Sequence, residues 1–259
     1  FMNERIQTNL ARLKQRYPGW RLGETHCHST FSDGQSEIPD ILLRAARLGL
    51  DFVILTEHLI PGKYSLQSCL KSIEVRARCV RQWDVPGIPP VQVYPAFEVS
   101  TREGHLILVF PQDYLHPGRC RELERPFSVF DREMWSMEKT AALVRPFGGI
   151  SIIAHPGRER SYPFGVPIPF AKQHLTGLVD AVEDISTGHG YQESYSTELD
   201  MAAIGSSDDH FNVLIGTSVT GYDGARHADF IDAVRARETR AFKVESSLDD
   251  VLTAARLVL

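Results

Sequence analysis

The chain is poor in cysteine and contains no C-x-x-C pair. Its four cysteines, Cys27, Cys69, Cys79 and Cys120, are scattered along 259 residues. In a chain of this length, scattered cysteines indicate reduced thiols rather than a disulfide framework. We therefore expect a protein of the cytoplasm.

Long apolar segments are missing as well. The longest apolar runs are far shorter than the ~20 residues that a membrane-spanning helix needs. No charged-then-apolar segment of the secretory type is found near the first residue. We expect no membrane partner, which agrees with a cytoplasmic location.

The sequence also lacks internal repeats, low-complexity tracts and blocks of like charge. Its net charge is -5, and this mild acidity does not suggest a nucleic-acid coat or an anionic membrane as a partner. With 42% hydrophobic and 24% charged residues, the composition is typical of a soluble globular protein. Its length suffices for one large α/β domain or two small ones.

Short apolar runs alternate with longer amphipathic stretches along the chain. Predicted strands lie within 20–28, 51–58, 91–99, 104–111, 149–156, 177–185, 201–210 and 239–244. Predicted helices lie within 37–50, 64–83, 131–147, 190–200, 226–238 and 247–258. Such alternation predicts a mostly parallel sheet, and the number of units fits a TIM-like barrel. We expect one domain over 1–259, in which the Pro/Gly-rich loop 156–170 forms a lid or a small insertion.

Histidines and acids recur at the ends of the predicted strands. Six of the ten histidines in the chain follow this pattern: His26, His28, His58, His105, His155 and His210. Asp33, Glu98 and Asp208 accompany them. In a parallel barrel the carboxyl ends of the strands meet at one mouth, so these side chains should converge there.

The residue types at these strand ends are metal ligands. Imidazole nitrogens and carboxylate oxygens suit Zn²⁺, Mn²⁺ or Fe²⁺ without any cysteine. His26 and His28 share one face of an extended strand, and the same alternation pairs Asp208 with His210. A core gains nothing from six imidazoles that each need a partner, so the set points to two or three divalent ions. The remaining histidines, His116, His174, His189 and His227, fall outside this pattern, and we expect them on the surface or in loops.

Taken together, the motifs resemble those of the PHP (polymerase and histidinol phosphatase) domain family. The segment HCHSTFSDG resembles the family's opening H-x-H-(T/S)-x-x-S-D-G motif. It is followed in order by TEH, AFEVSTREGHL, AHPG and GSSDDH, which resemble the later family motifs from about residue 22 to 210. The resemblance implies a metal-dependent phosphoesterase with a distorted (β/α)₇ barrel of the TIM-like type.

The resemblance also implies a ligand set for three metals. His26, His28 and Asp208 would hold the first metal, and Glu98 would bridge it to the second. His105 and His155 would complete the second site. Asp33, His58 and His210 would hold the third.

Three acids differ in their expected roles. The family's T-D-H motif here reads T-E-H, and strand alternation turns Glu57 away from His58, so Glu57 is expected to support a ligand at most. Asp209, between Asp208 and His210, is expected to be a non-ligand for the same reason. Glu183 matches an acidic position of the family and is expected to orient a ligand or to be structural.

A phosphate ester fits the charge of such a site. Three divalent cations exceed the charge of three carboxylates, so the cavity would attract a phosphate dianion even in an acidic protein. A metal-bound hydroxide held by His26, His28, Glu98 and Asp208 would attack the phosphorus atom. Arg158, Arg102 and Arg160 follow ligand positions and are candidate substrate-binding residues, although ordinary solvated loop positions would explain them equally well.

Three functions compete at this stage. The first is hydrolysis of a phosphate monoester of a small metabolite or nucleotide. The second is a PHP-type exonuclease or phosphodiesterase acting on short oligonucleotides, because the charge of the chain argues against long nucleic acids. The third is a non-catalytic metal-binding PHP domain. The sequence determines neither the substrate, nor the native metal, nor the oligomeric state.

Overall fold

The computed structural model describes residues 2–157 and 163–245. In chain order, the α-helices are α1 (Met2–Arg16), α2 (Ile38–Leu48), α3 (Leu66–Arg81), α4 (Pro117–Cys120), α5 (Glu124–Phe127), α6 (Met137–Val144), α7 (Ile168–His174), α8 (Tyr195–Leu199) and α9 (Phe230–Arg235). The strands are β1 (Trp20–Cys27), β2 (Phe52–Leu55), β3 (Glu57–Leu59), β4 (Gln92–Val93), β5 (Ala96–Ser100), β6 (His105–Val109), β7 (Ile150–Ile153), β8 (Ala181–Ser186), β9 (Tyr191–Gln192), β10 (Ala202–Ser206), β11 (Ser218–Asp223) and β12 (Thr239–Lys243). Short 3-10 helices occupy Gln112–Leu115, Arg121–Leu123, Ser128–Asp131 and Arg145–Phe147.

Helix α2 shows how local sequence produces these elements. Pro39 lies in its first turn, where the missing N–H leaves no hydrogen bond unmade. Ile38 and Ile41 are buried on one face of the helix. Gly49 then ends it with a φ of 85°, a conformation that glycine adopts without a steric penalty. The helix predicted over 37–50 is therefore confirmed, as is the one over 64–83, which forms α3.

Other predicted elements need correction. The segment 131–147 is helical only from Met137, after the Ser136 hydroxyl accepts a hydrogen bond from the backbone N–H of Lys139. The segment 190–200 contains strand β9 and the short helix α8, and 226–238 contains the short helix α9. The helix predicted over 247–258 lies outside the described residues.

The apolar pattern does not predict helix α1, the short helices α4, α5 and α7, or strands β9 and β11. In α1 only Ile6 and Leu10 are buried, so its apolar stripe is narrow and easily overlooked. In β11 the central Gly221 weakens the strand signal. A Cβ atom there would lie 2.7 Å from Phe242 Cε2 and 2.8 Å from Leu22 Cδ2, so any larger residue would displace packed side chains.

The strands form two open sheets among the described residues. The first has the order β12-β11-β1-β2-β4, and the second has the order β10-β8-β7-β6-β5-β3, with β9 added to β8. Neither sheet closes, so the predicted TIM-like barrel is not confirmed; the fold is a mixed α/β arrangement. The prediction of a mostly parallel sheet is wrong, because five of the ten strand pairings are antiparallel.

The chain passes from the first sheet to the second through breaks in two predicted strands. The segment 51–58 is interrupted at Thr56 between β2 and β3, and 91–99 is interrupted between β4 and β5. Arg76 of α3 is buried at this crossing, and its Nη1 donates to the carbonyl of Leu55 at 2.7 Å and to that of Tyr94 at 3.0 Å. The guanidinium thus satisfies two buried carbonyl groups at the ends of β2 and β4.

The inward faces of the strands change from apolar to polar along their length. Ala96 and Glu98 share a face of β5, and Ile107 and His105 share a face of β6. The apolar members join a buried cluster with Phe230 of α9. The polar members lie at the opposite end of the same faces, and this polarity locates the candidate site.

The loop 156–170 returns to the sheet before α7. Gly157 N donates to Val166 O at 2.8 Å, and His105 N donates to Phe164 O at 2.8 Å. Residues 158–162 lie outside the described residues, so the expected lid or insertion stays a prediction. In the part of the chain that the structure describes, no helix is both long enough and apolar enough to span a membrane.

Candidate metal centre

Glu98 lies at the centre of a cluster of buried histidines. Its Oε1 is 2.8 Å from His105 Nδ1 and 3.2 Å from His155 Nε2. Its Oε2 is 3.0 Å from His58 Nδ1 and 3.3 Å from His26 Nε2. The carboxylate is fully buried, and although burial opposes its charge, His105, His26 and His58 hold its pKa well below the usual value. Glu98 is therefore ionised at neutral pH.

Sheet register explains why these side chains meet. His58 pairs with Glu98 across the parallel strands β3 and β5. Strand β6 runs antiparallel to β5, so its first residue, His105, pairs with Ser100 at the end of β5. The amino end of β6 thus lies at the same edge as the carboxyl end of β5, which brings His105 into the cluster.

Asp208 forms the second centre of the cluster. Its Oδ1 lies 3.1 Å from His26 Nε2 and also 3.1 Å from His28 Nε2. Its Oδ2 lies 2.6 Å from His189 Nε2. Burial opposes the charge of Asp208, but His26, His189 and His28 hold its pKa well below the usual value.

Asp33 joins the outer part of the site. Its Oδ2 is 3.3 Å from His58 Nε2, and its Oδ1 is 3.3 Å from His210 Nε2. Burial lowers the pKa of each imidazole, but nearby carboxylates overcome this effect, Glu98 first for His58 and Asp33 for His210. They raise the pKa of His58 to about 10 and that of His210 to about 9. For His28, burial together with His58 and His210 lowers the pKa to about 4.

Two of the predicted ligands have a left-handed backbone. His155 has a φ of 26° and Asp208 a φ of 50°, and each lies two residues after the last residue of a strand. Non-glycine residues in this region are uncommon and often lie at functional sites. The expected strand face shared by Asp208 and His210 is therefore wrong, because β10 ends at Ser206 and the chain has already turned.

Among the residues that the structure describes, the donor atoms fall into four groups whose members lie within 4.8 Å of one another. The groups are His28, Asp33, His58 and His210; His26, His28 and Asp208; His58, Glu98 and His105; and His155, His189 and Asp208. They contain every ligand that the sequence motifs predict, with His189 in addition. Their composition differs in part from the expected division, since His155 groups with Asp208 rather than with His105.

The hydrogen bonding of the cluster is incomplete in a way that fits bound cations. Six buried polar atoms among its described residues have no partner with hydrogen-bond geometry: His26 Nε2, His28 Nδ1, Asp33 Oδ1, His58 Nδ1, Glu98 Oε2 and His155 Nδ1. The contacts of Glu98 Oε2 with His58 Nδ1 and His26 Nε2 are close but do not have this geometry. Buried polar atoms normally have partners, because an unsatisfied one costs about 1–3 kcal/mol. Divalent cations would supply the missing interactions, and nitrogen and oxygen donors are the types that Zn²⁺, Mn²⁺ and Fe²⁺ accept.

Two buried carboxylates, Glu183 and Glu24, orient ligand residues through atoms that do not face the other donors of the cluster. Glu183 Oε1 lies 2.7 Å from His26 Nδ1, and Glu183 Oε2 accepts the backbone N–H of His155 at 2.7 Å. Glu24, which the sequence analysis misses, accepts the backbone N–H groups of His26 and Ser207 through Oε1. Burial raises the pKa of Glu24 to about 7, while its bonds with Ser207 lower it. Strand alternation does not identify this residue, because the pairing of β1 with β2 shifts its register between Glu24 and Cys27.

Glu57 supports the turn that carries Asp33. Its carboxylate is buried and accepts hydrogen bonds from the hydroxyls of Ser29, Ser32 and Ser72. Among the described residues, its carboxylate makes no hydrogen bond with the His58 side chain, as strand alternation predicts. Asp209 likewise points away from the cluster, and its carboxylate accepts the backbone N–H groups of Phe211 and Leu214.

Of the three predicted substrate-binding arginines, the structure describes only Arg102, and it places this residue outside the cluster. Arg102 is exposed, and its Nε donates to the Met134 carbonyl at 3.1 Å. Arg158 and Arg160 lie outside the described residues. Their role in substrate binding stays a prediction.

Comparison with solved structures identifies the fold. A two-domain protein from Bacteroides vulgatus that contains a predicted PHP-like metal-dependent phosphoesterase is 19% identical, with a TM-score of 0.62 over 87% of this chain and 66% of that one. PsfC from Pseudomonas syringae is 15% identical, with a TM-score of 0.62 over 92% and 97%. Endonuclease Q, in complex with a 27-mer duplex that carries an abasic lesion, is 16% identical, with a TM-score of 0.56 over 84% and 56%.

These similarities support the resemblance found in the sequence. The chain has the fold of PHP-like metal-dependent phosphoesterases, so the resemblance to the PHP family is confirmed at the level of fold. The chain spans about two thirds of the Bacteroides protein and just over half of Endonuclease Q. No protein-family model matches the sequence, and no curated protein is significantly similar to it.

Proposed function

We propose that a chain with this fold and this donor cluster is a metal-dependent phosphoesterase that hydrolyses a phosphate monoester of a small metabolite or nucleotide. The observation that carries the proposal is the convergence of six buried polar atoms, all from histidines and acids, that have no partner with hydrogen-bond geometry among the described residues. A protein without a cation-dependent function would gain nothing from retaining them.

The proposed metal ligands are the nine residues of the sequence motifs. They are His26, His28, Asp33, His58, Glu98, His105, His155, Asp208 and His210. When bound, two or three divalent ions of zinc, manganese or iron would supply an activated water nucleophile and positive charge opposite the phosphate oxygens. Their positive charge would favour a phosphate dianion in a cavity whose own carboxylates are ionised.

The residues of the chain prepare the site before any ligand arrives. Glu98 and Asp208 are held ionised by neighbouring imidazoles, so both can accept cations at neutral pH. The lowered pKa of His28 keeps its imidazole neutral and its lone pair available. Glu183 fixes the ring orientation of His26, which limits the rearrangement that binding requires.

Phosphate release tests the proposal. The purified protein should release phosphate from an aryl phosphate in the presence of Mn²⁺ or Zn²⁺, lose this activity in EDTA, and regain it when the metal is restored. His28→Ala and Asp208→Ala should lower the rate by at least 100-fold. His174→Ala is the matched control, because His174 is partly exposed, outside the cluster and 3.6 Å from Glu138. Equal rates in all three variants would refute the assignment.

The substrate assay also separates the alternatives. Mononucleotides, sugar phosphates and oligonucleotides of two to five residues would be compared at equal phosphate concentration. Preference for oligonucleotides would favour the phosphodiesterase, and metal binding without turnover of any ester would favour a non-catalytic domain. The fold shared with Endonuclease Q does not by itself select the DNA-cleaving alternative, since the sequence identity is 16%.

A further inference from the structure

The loops after β8 and β10 lie side by side at the edge of the cluster. Thr187 N donates to Ser206 O at 3.1 Å, and Gly188 N donates to Ser207 O at 2.8 Å. A Cβ atom at Gly188 would lie 2.6 Å from Ser207 O, so this approach of the two backbones requires glycine. The pairing ends where His189 and Asp208 begin, and it brings their side chains together.

His189 makes two contacts with proposed ligands. Its Nε2 is 2.6 Å from Asp208 Oδ2, and its ring stacks on that of His155 with centroids 4.3 Å apart. Its side chain is 25% exposed, whereas that of Asp208 is almost completely buried. Because the Asp208 carboxylate is ionised and can only accept, Nε2 of His189 carries the proton and donates it.

The distance between the two side chains distinguishes a donor from a ligand. Two donor atoms bound to one ion at roughly 2.0–2.1 Å lie roughly 3 Å apart or more. The distances of 3.1 Å from Asp208 Oδ1 to His26 and His28 have this spacing. The 2.6 Å contact of His189 is shorter and matches a charge-assisted hydrogen bond.

We propose that His189 is a positioning residue, which donates a hydrogen bond to Asp208 Oδ2 and so keeps Asp208 Oδ1 directed at the metal position beside His26 and His28. This inference rests on the proposed metal site. Asp208 needs such support because its backbone is left-handed, with a φ of 50°, and lies past the end of β10. Without this bond, the carboxylate would keep, among the described residues, the contacts of its Oδ1 with proposed ligands such as His26 and His28, which would themselves turn toward the metal.

Two substitutions separate donation from ligation. His189→Ala removes the donor, and His189→Gln retains an N–H at a similar reach but is a poor metal ligand. His174→Ala is the control, since this histidine lies outside the cluster. The metal-free proteins would be titrated with Co²⁺ against a chromophoric chelator, and the visible spectrum of bound Co²⁺ would be recorded. Unfolding midpoints of the metal-free variants show whether the fold is retained.

The positioning role predicts a specific pattern. His189→Ala should weaken one Co²⁺ site by about 10–100-fold, the range found for residues that orient metal ligands. His189→Gln should restore the affinity to within threefold and keep the wild-type Co²⁺ spectrum. An unchanged affinity in His189→Ala would overturn the proposal. So would a His189→Gln variant that binds as weakly as His189→Ala with an altered spectrum, because His189 would then be a ligand.

This experiment is independent of phosphate release. If the protein binds Co²⁺ with the expected dependence on His189 but hydrolyses no ester, the proposed function fails and the role of His189 stands. If it hydrolyses esters while metal affinity is unaffected by His189→Ala, the role of His189 fails and the proposed function stands.

Discussion

Replacing Arg76 with methionine should destabilise the metal-free protein by about 3–5 kcal/mol, the usual cost of removing one member of a buried ionic network. Arg76 is completely buried. Its Nη2 donates to the Ser72 hydroxyl at 2.7 Å, and this hydroxyl in turn donates to Glu57 Oε1 at 3.0 Å. Methionine fills a similar volume but leaves the buried Glu57 without its positive counterpart.

The two carbonyl groups at the sheet crossing add to this cost. Arg76 Nη1 donates to both Leu55 O and Tyr94 O, which lie at the breaks between β2 and β3 and between β4 and β5. Each carbonyl group that loses its partner costs about 1–3 kcal/mol, although entry of a water molecule could recover part of it. The cost of unpairing Glu57 and the cost of the two carbonyl groups both arise from the loss of one guanidinium and are not additive. The expected loss of stability therefore stays at about 3–5 kcal/mol.

Urea and thermal unfolding in EDTA would measure the effect. In a chain of this size, a loss of this magnitude lowers the midpoint temperature by about 10 °C. Arg78→Met is the matched control, because Arg78 is exposed on the same helix. A loss below about 1 kcal/mol, or one equal to that of the control, would refute the view that Arg76 joins the two sheets.

Two further predictions concern the metal centre. Glu183→Gln should weaken metal binding by about 10–100-fold, because Glu183 orients His26 and the backbone of His155; chelator competition would measure this, and unchanged affinity would contradict it. Metal affinity should also rise between pH 7 and 10, because His58 and His210, with pKa values of about 10 and 9, must lose protons to bind a cation. Calorimetry in buffers of different ionisation enthalpy would detect the released protons, and a pH-independent affinity would argue against it. In the metal-free protein the same raised pKa values contribute stability that is complete below pH 6.5 and is lost as pH rises through 9 and 10.

Much of the candidate site is contained in the sequence. Candidate metal donors at successive strand ends can be recognised by residue type, because burying so many polar side chains without partners would destabilise a core. Strand alternation separates His26 and His28 from Cys27 and turns Glu57 away from His58. These inferences succeed because side-chain direction in a strand depends on the local backbone alone. For the fold, the alternation of apolar runs and amphipathic stretches predicts only the α/β class.

The arrangement of the strands depends on tertiary structure. The break at Thr56 and the antiparallel β6 are not visible in the apolar runs, because they depend on partners distant in the chain, among them Arg76. The same holds for His155 and Asp208, whose left-handed backbones follow strand ends that periodicity places too late. An alternating pattern specifies which faces are buried but not which strands pair.

His189 shows most clearly the difference between what the sequence predicts and what the tertiary structure adds. Its sequence context, STGHG, predicts only a loop, and nothing nearby in the chain identifies it as part of the centre. The sequence by itself identified the candidate metal donors that the structure brings together, and the strand faces on which most of them lie. Only the tertiary structure decided that β8 and β10 are neighbours, and hence that His189 contacts Asp208. Residue type and local backbone geometry can be inferred from the sequence, whereas a contact between loops of separate strands exists only after those strands have paired.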